Sequence, residues 1–212
     1  TLDVWLPIIK HNVDNISDAF SIQNINQFNT LDINLTEKEQ SLVYLLSSKI
    51  KKEDYAETEA IIITLASISD PVKTAEEAYL KLHLLSHRIV KPHDINLDGL
   101  FGKLANIAWS NCGPILPEDV TDVRLSERLN GRELLITHVD KFPYLVNYHI
   151  PSGVRIASGS QVRLGAYLGE GTTVMPAGYV NFNAGTHGPA MVEGRISAGV
   201  VVGKNTDLGG GA

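Results

Sequence analysis

The chain has 212 residues, 43% of them hydrophobic and 20% charged, with a formal net charge of −6. That balance fits a folded globular protein. An acidic chain whose longest basic run is Lys51-Lys52 is poorly suited to nucleic acid or an anionic membrane surface, so neither partner is expected.

Several further features narrow the class. One cysteine, Cys112, rules out an internal disulfide framework. With no adjacent base in sequence it reads as a core thiol, in keeping with a reducing cytoplasm. No charged segment with an apolar core and a small-residue cleavage site opens the chain. The longest apolar stretch, Ala60 to Leu65 with one Thr, is too short for a bilayer. The chain opens on Thr1 and stops after Gly209-Gly210-Gly211-Ala212, so a trimmed fragment is expected.

The first part reads as α/β. Thr36 with Glu39 is a capping box, and Leu42, Leu45, Leu46 and Ile50 follow on one helical face. Ala60 to Ile63 is a short aliphatic run that predicts a strand. Thr74-Ala-Glu-Glu77 is a second capping box. It predicts a helix over 75–90, with Leu80, Leu84 and Leu85 as core and Pro92 as its stop. Ile107-Ala-Trp109 and Leu134 to Val139 read as strands, the second preceded by a turn at Asn130-Gly131. Only four of the eighteen glycines lie in residues 1–145. That composition shift places a boundary near Asn147, between an α/β domain over 1–146 and a second domain over 147–212.

The second part repeats itself. Ile150, Ile156, Val162, Leu168, Val174 and Val180 are spaced by six. Four places after them stand Val154, Ser160, Ala166, Thr172, Gly178 and Ala184. Three places after the first four stand Gly153, Gly159, Gly165 and Gly171. A period of six suits a triangular coil whose sides are short strands. The aliphatic residue points inward, the second inward place must be small, and glycine serves crowded or positive-φ corners. Three sixes make one coil, the pattern of a parallel β-helix. A Gly-rich β-sandwich with regular turns is the alternative. The beat lapses after Val180 and resumes at Ile196, Val202 and Leu208, with Val200, Thr206 and Ala212 four places on. Val180 and Ile196 are sixteen apart. Counted as two sixes plus four, that reads as a four-residue insertion bulging Gly185 to Pro189 outward.

Longer stretches resemble one family. These are Glu77 to Arg88, Val154 to Ala157 with Val162 to Met175, Val180 to Thr186, Met191 to Gly199, and Asp207 to Ala212. They are similar to the tetrahydrodipicolinate N-succinyltransferase family of hexapeptide-repeat acyltransferases. The resemblance is closest over 76–93 and 139–212 and looser over 1–75. It implies a left-handed β-helix and a cytoplasmic homotrimer with sites between adjacent β-helices. It implies transfer of succinyl from succinyl-CoA to the amine of tetrahydrodipicolinate, in lysine and diaminopimelate synthesis. It also implies that coenzyme A runs along coils nearer the C-terminus. An acetyl-CoA-dependent relative and a non-catalytic structural β-helix are the alternatives.

Acyl transfer needs an amine, a proton acceptor and donors for the thioester oxyanion. Glu193, beside Gly194, matches the family's catalytic glutamate, either a general base or an acyl-anhydride nucleophile. Without the family motif it would read as a solvated loop residue. Arg195 stands two places on and suits a carboxylate; the resemblance assigns it to succinyl-CoA, against an ion pair with Glu193 or a surface charge. Gly210 matches a succinyl-CoA contact and also suits a tight corner. Arg155 and Arg163 sit beside inward aliphatics and so face outward, as solvated charges or anion binders. Asn181 and Asn183 suit an amide ladder or a substrate contact. His187 reads as an exposed loop residue. His83 and His87 have metal-ligand spacing on a helix but no third ligand with motif spacing, so they read as a structural or interface pair. In some members of the family, acidic residues of the β-helix hold Mg²⁺ near the trimer axis. The matching positions here are Gln161 and Ala177, and neither carries a carboxylate, so no metal is expected.

Overall fold

A computed structural model describes residues 1, 4, 6, 9, 20–24, 35–49 and 61–211. They fall into two compact units, Leu6–Ile68 and a larger one made of Thr1–Trp5 with Ser69–Ala212.

In the smaller unit, strand β1 (Phe20–Asn24) pairs antiparallel with β2 (Ile61–Leu65). Between them lies helix α1 (Glu37–Lys49). The capping box forms as expected. The Thr36 N–H donates to Glu39 Oε2 at 2.8 Å, and the Glu39 N–H returns to Thr36 Oγ1 at 3.3 Å. The apolar face expected on this helix is less complete: Leu42 is half-buried but Leu45 is 45% exposed. A cap sets where a helix starts, whereas burial needs a partner surface. Ala60, Ile50, Lys51 and Lys52 lie outside the described residues, as does the Leu46 side chain.

The larger unit is organised around helix α2 (Ala75–Ser86), buried on almost every side. Thr74 caps it by accepting from the Glu77 N–H at 3.2 Å, while the Glu77 carboxylate takes the Lys73 N–H at 2.9 Å. Leu80, Leu84 and Leu85 are buried, as expected. So are Glu77 and Lys81, which pair at 3.4 Å. Lys81 Nζ also donates to the carbonyls of Asp70 and Asn96, so the buried charges are paired and hydrogen-bonded.

Helix α2 ends at Ser86, well before Pro92. Arg88 takes the left-handed conformation, φ 61°. The Ile89 N–H bonds Leu84 O and the Arg88 N–H bonds Leu85 O, both at 3.0 Å, which is a Schellman cap without glycine. The Arg88 side chain shows why an arginine stands there. Its guanidinium donates to Leu168 O at 2.6 Å and Ser152 O at 2.9 Å, in the coils. Ser86 adds a third tie, accepting from the Gly165 N–H at 2.8 Å. Leu82 packs against Gly165, where a Cβ would meet it at 2.4 Å.

After short helix α3 (Leu100–Lys103), strands β3 (Ile107–Ser110), β4 (Gly113–Ile115) and β5 (Ile136–Asp140) form an antiparallel sheet ordered β4-β3-β5. β5 starts two residues later than the hydrophobic run suggests. Helix α4 (Val120–Leu129) precedes the Asn130-Gly131 turn and is not legible as an apolar run. It buries only Val123 and Glu127. Cys112 packs against the cluster of Ile115, Val123 and Leu134.

A turn at Leu145–Asn147 leads into the coils. Ile150, expected to start the inward column, is 75% exposed because it precedes the first coil strand. That strand is β6 (Arg155–Ile156), followed by β7 (Gln161–Val162), β8 (Tyr167–Leu168) and β9 (Thr172–Val174). The next coil holds β10 (Tyr179–Val180), β11 (Gly185–Thr186) and β12 (Ala190–Val192). The last holds β13 (Arg195–Ile196), β14 (Val201–Val202) and β15 (Thr206–Leu208). They stack as three parallel sheets, β7-β10-β13, β8-β11-β14 and β6-β9-β12-β15. These are the three walls of a prism. Val162, Leu168, Val174, Val180 and Ile196 fill its interior, each at most 2% exposed. Ala166, Thr172 and Ala184 take the small inward places. Gly153, Gly159, Gly165 and Gly171 turn corners with φ from 69° to 95°, and Ala177 and Asn183 take the same corner at 67° and 50°. Ala212 lies outside the described residues.

The lost beat has a different cause from an insertion. Gly185 and Thr186 form a regular strand and are buried, so that segment does not bulge. Thr186 and Val192 continue the six-residue count from Val180, and both are fully buried. The next inward residue, Ile196, comes only four places after Val192. Gln161 pairs with Tyr179, eighteen positions on, but Tyr179 pairs with Arg195, sixteen on. The coil is therefore two residues short, and the shortening falls at Glu193-Gly194.

An acid-sensitive cluster lies where α2 meets residues 148–149. The His83 imidazole is fully buried and its Nε2–H donates to Val4 O at 3.1 Å, leaving Nδ1 without a partner among the described residues. His87 stacks on His149 with centroids 3.7 Å apart. Burial pushes His83 down to about 4. Burial and then His149 push His87 to about 4, and burial followed by Arg88 lowers His149. The native state therefore holds these rings neutral. Their stabilisation is present above the unfolded histidine pKa and is lost as pH falls from about 6.5 towards 4. From His83 alone, the unfolding free energy should drop by ~2–3 kcal/mol between about pH 7 and about pH 4.5. Urea titrations at the two pH values measure it; equal midpoints would refute a neutral buried His83.

Candidate active site

The shortened corner makes a cleft. Glu193, Gly194 and Arg195 form one side, and Met175, Pro176 and Ala177 of the coil before form the other. Gly210, from the stretch after β15, completes it, and its volume is about 450 Å³. Three sequence candidates, Glu193, Arg195 and Gly210, thus share one site.

The backbone of this corner is tied down. The N–H groups of Glu193 and Gly194 both donate to Leu208 O, at 2.9 and 3.1 Å. Gly194 O accepts from the Tyr179 N–H at 3.0 Å, and Val192 O accepts from the Met175 N–H at 2.8 Å. These bonds fix where the side chains start. The side chains themselves are uncommitted: both are exposed, and among the described residues neither Glu193 nor Arg195 makes an ion pair. The guanidinium of Arg195 instead stands 5.6 Å from the ring centroid of Tyr179. Gly210 has nothing within 4 Å of where a Cβ would stand, so packing does not demand glycine there. A carboxylate and a guanidinium with no ion pair among the described residues, beside open backbone, can accept a proton, pair with a carboxylate and approach a ligand closely.

The other two candidates stand elsewhere. Arg163 forms an ion pair with Asp140 at 2.7 Å and donates to Asn181 Oδ1 at 3.0 Å. Its guanidinium also lies 4.8 Å from the Phe142 ring centroid. Asn183 turns a corner, and its Oδ1 accepts from the His93 N–H at 3.0 Å. Neither lines the cleft. Asn181 Oδ1 also accepts from the Phe182 N–H at 2.9 Å, so the two asparagines bind different neighbours and form no ladder. Arg155 and His187 are exposed. Gln161 and Ala177 are exposed and give no carboxylate, so they do not fit a resident Mg²⁺.

Residues 104–144 match the family model described as tetrahydrodipicolinate N-succinyltransferase middle. A Salinispora tropica protein named 2,3,4,5-tetrahydropyridine-2,6-dicarboxylate N-succinyltransferase is 58% identical over 150 residues, 71% of this chain and 47% of its own. A Pseudomonas paraeruginosa protein of the same name is 46% identical over 205 residues, 97% of this chain and 57% of its own. The chain belongs to the tetrahydrodipicolinate N-succinyltransferase family. It spans about half the length of these relatives. A Campylobacter jejuni crystal structure, provisionally named a 2,3,4,5-tetrahydropyridine-2-carboxylate N-succinyltransferase, superposes with a TM-score of 0.75. It is 34% identical, over 92% of this chain and 53% of that one. An α/β part followed by a left-handed parallel β-helix is thus the fold of the family and of this chain.

Sequence reasoning missed the Met175-Pro176-Ala177 wall and the ring of Tyr179. An eighteen-residue coil would place Ala177 beneath Arg195; the sixteen-residue coil places Tyr179 there. Among the described residues, no helix is long and apolar enough to cross a membrane.

Proposed function

We propose that this chain carries the core of an acyltransferase site moving succinyl from succinyl-CoA to the amine of tetrahydrodipicolinate, in lysine and diaminopimelate synthesis. The observation that carries this reading is the meeting of Glu193, Arg195 and Gly210 at one cleft. The relatives' names supply the acyl group and the acceptor.

Water first adds across the ring C=N bond of the acceptor, which gives its nitrogen a hydrogen; that amine nitrogen then attacks the thioester carbon, a C–N bond forms and the C–S bond breaks. The Glu193 carboxylate takes the proton that the amine sheds, and the leaving coenzyme A thiolate ends as the thiol. Backbone N–H at Gly210 donates to the oxygen that gains charge. Arg195 pairs with a carboxylate of the succinyl group or the acceptor. No step runs through a metal.

The enzyme works as a homotrimer in the cytoplasm, with clefts between adjacent β-helices. Residues 147–212 supply the scaffold of the site, and Ser86 and Arg88 at the end of α2 brace it. Arg163 and Asn183 stand outside this chain's cleft, so ligand contact by either belongs to the side of a neighbouring subunit.

Thiol release from succinyl-CoA in the presence of tetrahydrodipicolinate, assayed on the complete gene product, tests the reading. Release with acetyl-CoA alone would reassign the donor. No release with either would leave a structural β-helix.

A further inference from the structure

We infer that Tyr179 is a positioning residue whose ring holds the Arg195 guanidinium at the cleft, ready for a carboxylate-bearing ligand. The inference rests on the cleft being an acyl-transfer site. Tyr179 of β10 and Arg195 of β13 are directly paired across the sheet, so their outward side chains stand one above the other. The guanidinium carbon lies 5.6 Å from the ring centroid, within cation–π range.

The ring has a firm backing. Arg163 approaches it at 5.9 Å and is itself held by Asp140 at 2.7 Å. Behind Arg163 lies Phe142, buried and stacked on Phe182 at 4.7 Å. Tyr179 is thus flanked by two guanidinium groups, one fixed by a carboxylate and one open to ligand. An ion pair with Glu193 would also steady Arg195, but it would neutralise both charges that the chemistry needs. A ring face steadies the cation and leaves its charge intact. An exposed arginine held in advance loses less side-chain freedom when it binds.

Tyr179→Gln removes the ring and inserts the residue that the preceding coil carries in the same column, Gln161. Tyr179→Phe keeps the ring. In the complete gene product, Tyr179→Gln should raise KM for succinyl-CoA or the acceptor about 3- to 30-fold, with kcat within about two-fold, and Tyr179→Phe should match wild type. Unchanged KM values in Tyr179→Gln, or equal losses in both variants, would overturn the inference. The Arg195 Nε–H resonance gives a readout independent of turnover. It should be ring-shifted upfield in wild type and Tyr179→Phe and return towards the free arginine position in Tyr179→Gln. No ring shift in wild type would overturn the inference whatever the activity. A wild type inactive with both acyl donors would sink the functional reading, and the resonance would still decide whether Tyr179 holds Arg195.

Discussion

Glu193→Gln is expected to lower kcat by about 10²- to 10⁴-fold, the range for loss of a positioned general base. The amide has nearly the shape of the carboxylate, and the side chain is exposed with no ion pair among the described residues. The backbone bonds from Glu193 and Gly194 to Leu208 O do not depend on it. The variant should therefore keep its unfolding midpoint while losing turnover. Steady-state thiol release beside urea titration reads both quantities. Near-normal kcat would remove Glu193 from the mechanism. Mass spectrometry of enzyme mixed with succinyl-CoA alone separates the two chemical roles, because a succinylated Glu193 peptide would mark the covalent route.

Gly185→Ala is expected to cost at least ~3 kcal/mol of stability, by forcing a side chain into a site with no room. A Cβ at Gly185 would stand 1.8 Å from Tyr167 O, and φ there is +147°. The obstacle is a backbone carbonyl in the neighbouring coil, which cannot swing aside as a flexible side chain would. Gly203→Ala is the control, since nothing lies within 4 Å of its Cβ position. It should fall within about 0.5 kcal/mol of wild type. Equal midpoints for the two variants would show that the coils relax more readily than their packing implies.

Much of the α/β part was legible because caps and aliphatic runs act locally. Thr36 and Thr74 announce helix starts through bonds that span only three residues. The end of α2 was not legible. Arg88 terminates the helix in a conformation usually left to glycine, and its side chain bonds the coils at Ser152 and Leu168. A propensity argument contains none of those partners. Helix α4 was missed because no side-chain cap marks its start and its apolar residues stand apart between charged ones. At the site, Glu193, Arg195 and Gly210 were named from motif resemblance. Their convergence depends on Leu208 O drawing the last coil against the short corner.

By itself the sequence determined the prism. The six-residue column, its small partners and its positive-φ corners are the repeat written out, and each repeat needs only its neighbours to bury it. Only the tertiary structure decided where the count changes. Thr186 occupies an inward place that a hydrophobic count passes over. It is tolerated because its hydroxyl lies 2.6 Å from Thr172 Oγ1 and accepts from the Gly169 N–H at 3.0 Å, so the buried polar group is satisfied. With Thr186 counted, the segment from Gly185 to Val192 is regular and the missing two residues fall at Glu193-Gly194. That placement puts a carboxylate on a tight corner and Tyr179 under Arg195.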